Sequence, residues 1–113
     1  MTSGQDLYLQ LQDKLRSLEA ALVELPKRGR ASAQTERDYR IALAQETLRL
    51  RESGQPATII GDLVRGNREI AKLRFERDVA QTIYEAAQET IRVWKLEATL
   101  MEAQMQREWT RRE

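Results

Sequence analysis

The chemistry open to this chain rests on carboxylates, hydroxyls, lysines and arginines, because its 113 residues include neither Cys nor His. That removes thiol nucleophiles, disulfides, zinc–thiolate sites, the commonest general base and the Glu-x-x-His motif of di-iron bundles. A magnesium-dependent hydrolase would need acidic residues a helical turn apart. Glu85 and Glu89 stand four apart beside Tyr84 and Ala86, and a solvated helix flank accounts for them better than a metal site. The segment Ile60-Gly61-Asp62-Leu63-Val64-Arg65-Gly66-Asn67 lacks the Gly-Lys-Ser/Thr ending of a phosphate-binding loop. No cofactor, no metal and no enzymatic activity are expected.

Cations offer a second chemistry. Arg65, Arg68, Lys72, Arg74 and Arg77 fall within thirteen residues, and Arg65, Arg68 and Lys72 share one helical face. With Lys27, Arg28 and Arg30 they form a candidate phosphate-contacting patch. Asp62, Glu69 and Asp78 are spaced to pair with Arg65, Lys72 and Arg74, and the net charge is only +1, so nucleic acid ranks as the second choice of partner.

Helices must position all of these residues. Ala, Leu, Glu, Gln and Arg dominate, aromatics are 5% of positions, and an all-α fold follows from propensity. Tyr8, Leu11, Leu15, Leu18, Leu22 and Leu25 make a 3-4 apolar stripe that predicts a first helix over 5–25, stopped by Pro26 and Gly29. A second helix over 33–53 starts near Ser32 or Thr35 and ends at Ser53-Gly54, where glycine supplies a left-handed cap. Its apolar residues divide into Tyr39, Leu43 and Leu50 on one side and Ile41, Ala44 and Leu48 on the other, predicting two neighbours. A short bent helix covers 59–65, capped by Thr58, and a long helix covers 67–110.

The long helix carries the stripe Ile70, Leu73, Arg77, Ala80, Tyr84, Ala87, Ile91, Trp94, Ala98, Met101 and Met105, with Arg77 its lone charge. A second stripe, Phe75, Val79, Ile83, Ala86, Thr90, Val93 and Leu100, lies beside it. At 1.5 Å per residue this helix is roughly 65 Å long, whereas a hairpin of helices one and two covers only about 30 Å. The surplus predicts self-association into a helical-bundle or coiled-coil-like oligomer, a homodimer first of all. Tyr84, Ile91, Trp94, Met101, Met105 and Trp109 are its expected interface, and the two methionines also suit a different protein partner.

The run Leu48-Arg49-Leu50-Arg51-Glu52-Ser53-Gly54-Gln55-Pro56-Ala57-Thr58-Ile59-Ile60-Gly61-Asp62-Leu63-Val64-Arg65-Gly66, with Ala71-x-Leu73-Arg74, Arg77-Asp78-Val79-Ala80, Tyr84-x-Ala86-Ala87 and Gln106-Arg107-Glu108-Trp109, resembles small all-helical accessory proteins encoded by tailed phages and prophages. The resemblance implies a regulatory or interaction role, in a recombination or replication region, without catalytic residues. The polar residues that interrupt Leu7–Leu25 exclude a secretory core, and no apolar run approaches the ~20 residues of a membrane span. A cytoplasmic protein is expected, in the host cytoplasm if viral.

Overall fold

The computed structural model describes residues 3–112. Ser3 opens the first helix as its N-cap, its Oγ accepting from the Asp6 amide at 3.1 Å. Three helices follow, α1 (Gly4–Glu52), α2 (Ala57–Gly66) and α3 (Arg68–Arg112). The chain is all-α, as its composition requires, and among the described residues no helix is long and apolar enough to cross a membrane.

The expected break at Pro26–Arg30 does not occur. Helices predicted over 5–25 and 33–53 are one helix, with Pro26 inside it. Proline lacks the amide that would bond to the Leu22 carbonyl, an interior cost of about 3 kcal/mol relative to alanine. The helix persists because inward-facing residues continue on both sides: Leu18, Ala21 and Leu25 before it, Gly29, Ser32, Glu36 and Tyr39 after it. Their spacing is the 3-4 alternation of a packed seam, except that two steps of four follow one another across Pro26, a stutter that locally unwinds such a seam. Gly29 is a notch rather than a stop signal. A Cβ there would stand 3.2 Å from the Tyr84 ring, closer than ordinary contact. Thr35, expected near a helix start, lies mid-helix and turns its hydroxyl back onto the Ala31 and Ser32 carbonyls at 3.0 and 2.9 Å.

The end of α1 follows the sequence expectation. Gly54 has φ +82°, the Gln55 amide donates to the Leu50 carbonyl at 3.2 Å, and the Gly54 amide to Arg51 at 3.1 Å. This is a Schellman cap, and Pro56 then bounds α2. Thr58 does not cap α2, which already begins at Ala57 and has no side-chain cap. Asn67 separates α2 from α3. Its amide donates to the Val64 carbonyl at 3.1 Å, closing α2, while its Oδ1 accepts from the Ile70 amide at 3.1 Å, opening α3. Asn67→Ala should therefore lower stability by about 1 kcal/mol in urea unfolding. An unchanged midpoint would mean that this bond contributes nothing.

The chain forms two compact units. One joins Met1–Lys27 to Glu85–Glu113, and the other is Arg28–Tyr84. In the first, the α1 and α3 segments are antiparallel, with Gly4 level with Glu108 and Lys14 with Glu97. Leu7, Leu18 and Ile91 are buried, and Leu11, Ala21, Leu25, Trp94, Ala98, Met101 and Met105 are half-buried around them. The seam on α1 thus reads Leu7, Leu11, Lys14, Leu18, Ala21, Leu25. The predicted stripe shares Leu11, Leu18 and Leu25 with it, but Tyr8, Leu15 and Leu22 lie outside, 49%, 39% and 46% exposed. Two 3-4 ladders run through the same leucines, and Lys14 decides between them. It crosses the seam, holds Glu97 at 2.6 Å, and sets its ammonium 5.3 Å from the Trp94 ring centre. A single polar residue in an apolar seam fixes register in this way.

In the second unit, Leu50, Ile60, Val64 and Ile70 form a core, with Tyr39, Ala42 and Leu43 packed against it. All three helices contribute. Only the Tyr39, Leu43, Leu50 side of α1 is covered here, and Ile41 and Leu48 are exposed, so α1 has a neighbour on one side rather than on two. Arg77, the lone charge in the α3 stripe, lies 4.5 Å from the Tyr39 ring centre and reaches Glu36 at 3.5 Å and Asp78 at 2.8 Å. Its guanidinium is held more firmly protonated than usual, first by the Asp78 hydrogen bond. Both units thus place a cation over an aromatic ring, with a carboxylate three residues along the facing helix.

Candidate functional site

Five of the six residues expected at an oligomer interface belong to the internal seams. Ile91 is buried, and Trp94, Met101 and Met105 are half-covered in the first unit, while Tyr84 sits over Gly29 in the second. This placement follows from Pro26. Because α1 runs on through Pro26, the leucines of residues 5–25 cover the α3 stripe from Ile91 onward within the first unit. The sequence arithmetic of one long helix against a hairpin of half its length therefore fails at its premise.

Trp109 alone of the six is 61% exposed. It frames a cavity of about 420 Å³ at one end of the first unit with Gly4, Tyr8, Met105 and Glu108. Tyr8 and Trp109 thus share a flank. Seen along α1, Leu15 and Leu22 repeat the position of Tyr8 at intervals of seven, so the same flank continues as an apolar stripe. Val93 and Leu100 make a second stripe on α3, again seven apart and exposed, in agreement with the sequence expectation that two apolar stripes adjoin there. In this unit the seam is covered and the flanks are not.

The six candidate phosphate contacts divide between the units, five of them in the second. Lys27 belongs to the first unit and pairs with Glu24 at 3.2 Å. Arg28, Arg30, Arg68 and Lys72 are exposed in the second unit. Arg65 pairs with Asp62 at 2.6 Å, as its spacing predicts. Glu69 does not pair with Lys72, and Asp78 is taken by Arg77 rather than by Arg74. Arg65 instead lines a cavity of about 570 Å³ together with Arg51, Arg74 and Arg77. Three of these four lie in the cationic run visible in the sequence. Arg51 carries no sequence signal, because its approach depends on the turn at Ser53–Pro56 returning α2 against α1.

Among the described residues no group of three or more Asp or Glu is placed to hold a metal ion. Glu89 pairs with Arg92 within its own helix, as a solvated flank does. Glu46 is held below its ordinary range by the hydrogen bond from Arg49. It binds its proton less readily folded than unfolded, so it favours the fold at neutral pH and loses that effect as the solution is acidified through its folded pKa.

No family model matches this chain, and no curated protein or solved structure matches it either.

Proposed function

We propose that this protein is a non-enzymatic helical interaction module that self-associates through the flank Tyr8, Leu15, Leu22 and Trp109. One observation carries the reading: among the described residues of the unit built from Met1–Lys27 and Glu85–Glu113 only Leu7, Leu18 and Ile91 are buried, while Tyr8, Leu9, Leu15, Leu22, Val23, Val93, Leu96, Leu100 and Trp109 are all exposed. Two helices share one seam and offer no third layer for the flanks. Apolar flanks of this kind are where further helices dock.

A second copy is the favoured occupant. Tyr8 and Leu22 lie seven residues to either side of Leu15, so a two-fold axis through Leu15 sets each Tyr8 against the partner's Leu22 and each Leu15 against its equivalent, a self-complementary contact. Four half-covered side chains per copy, at roughly half the 1.5–3 kcal/mol of full burial each, supply about 6–12 kcal/mol. Association costs about 4–15 kcal/mol, so a weak, concentration-dependent dimer is expected. The likeness of 48–66 and of the later segments to phage and prophage accessory proteins supports an interaction or regulatory role of that kind.

Sedimentation from micromolar to near-millimolar protein tests the reading. The native chain should shift from monomer to dimer across that range, and Leu15→Glu should abolish the shift while leaving helicity and melting unchanged. A native chain that stays monomeric throughout overturns it, as does a Leu15→Glu protein that dimerises as well as the native one.

A further inference from the structure

Four arginines, Arg51, Arg65, Arg74 and Arg77, line the 570 Å³ cavity of the Arg28–Tyr84 unit, and no Asp or Glu lines it. Two of the four pair with carboxylates that do not line it: Arg65 with Asp62 at 2.6 Å, Arg77 with Asp78 at 2.8 Å and Glu36 at 3.5 Å. Such pairing aims a guanidinium without removing its remaining donors, because each carries five N–H groups. Arg51 and Arg74 reach no carboxylate among the described residues. Like charges gathered on one concave surface raise the local potential, and an anion entering between them relieves it.

The rest of the lining is not cationic. Tyr39, Ile60 and Val64 contribute an apolar floor, and Val64 is the most deeply buried hydrophobic residue described, at 2%. The volume lies within the range of small-molecule sites and well above what one bare anion fills. Planar guanidinium groups match the paired oxygens of a phosphoryl group bidentately, which ammonium groups do not, and all four cations here are arginines.

We propose that this cavity binds a phosphoryl group carried on an apolar or aromatic body, as in a nucleotide, either free or as part of a single strand. Arg51 and Arg74 make the primary contacts, Arg65 and Arg77 complete the cradle, and the base or sugar lies toward Tyr39 and Ile60. The site is built from residues of the second unit and the self-association flank from residues of the first, and a strictly monomeric protein would test it equally well.

Calorimetry at low salt with three probes, ATP, inorganic pyrophosphate and a 5′-phosphorylated single-stranded hexanucleotide, decides the matter. ATP or the hexanucleotide should bind saturably and more tightly than pyrophosphate. Arg51→Ala and Arg74→Ala should each weaken the preferred probe about tenfold, the loss expected when a charged hydrogen-bond donor is removed. Both residues are exposed, so thermal melting should not change. Arg68→Ala and Lys72→Ala, whose side chains do not line the cavity, should alter affinity less than twofold. Tighter binding of ATP identifies the free nucleotide as the source, and tighter binding of the hexanucleotide identifies the strand. Absence of saturable binding by all three probes overturns the proposal. So does sensitivity to Arg68 and Lys72 without sensitivity to Arg51 and Arg74, and so does equal binding of poly-glutamate, which would reveal a merely cationic surface.

Discussion

Ile91→Ala is expected to destabilise the protein by about 2–5 kcal/mol, the range for truncating a buried isoleucine when its surroundings relax only partly. Ile91 is 5% exposed, within the seam between the α1 and α3 segments of the first unit. Its loss opens a cavity flanked by the α1 leucines, and a domain of ordinary stability has only about 5–15 kcal/mol to lose. Leu100, nine residues on in the same helix, is 60% exposed, and Leu100→Ala should move the urea midpoint by less than about 0.5 kcal/mol. The pair separates two assignments of the α3 stripe. If Ile91 packs within its own chain, the loss is the same at 1 µM and at 100 µM protein, whereas an interface residue would show a loss that grows as protein concentration rises. A small effect of Ile91→Ala, or a strongly concentration-dependent one, would return this residue to the oligomer interface.

The sequence marks the inner face of α3 completely. Every member of the stripe from Ile70 to Met105 is buried or half-buried, including Arg77, whose charge is met by Glu36 and Asp78. It marks the end of α1 as well, because a glycine at φ +82° leaves an unambiguous trace at Gly54. The partner of each face is where periodicity runs out. Leu11, Leu18 and Leu25 belong to two ladders at once, and only a contact across the seam, Lys14 with Glu97 and Trp94, selects between them. A lysine at such a position reads locally as an interruption, although its stem is covered and its ammonium is paired. The arginine cavity is half-legible for the same reason. Arg65, Arg74 and Arg77 are neighbours in sequence, but Arg51 joins them through tertiary placement of α2, and the helical face shared by Arg65, Arg68 and Lys72 turns out to divide between the cavity and open surface.

The largest error of local reading, the break assigned to Pro26, yields the second strong expectation: Pro26→Ala should raise stability by about 2 kcal/mol. An interior proline costs about 3 kcal/mol relative to alanine, and alanine restores an amide able to donate to the Leu22 carbonyl. Part of the gain is offset because proline also restricts the unfolded chain, an effect of about 0.4–1 kcal/mol. For a chain of this length the net corresponds to a rise in melting temperature of roughly 5–10 °C. Pro56 supplies the internal control. It stands at the N-cap of α2 with φ −58° and ψ 135°, a conformation proline adopts without strain, and it interrupts no helix. Pro56→Ala therefore frees the unfolded chain without relieving the folded one, and stability should fall by up to about 1 kcal/mol. Calorimetric melting of the two variants should thus shift in opposite directions. A fall with Pro26→Ala would mean that α1 is interrupted at this residue after all, because only a proline held inside a continuous helix has strain to release.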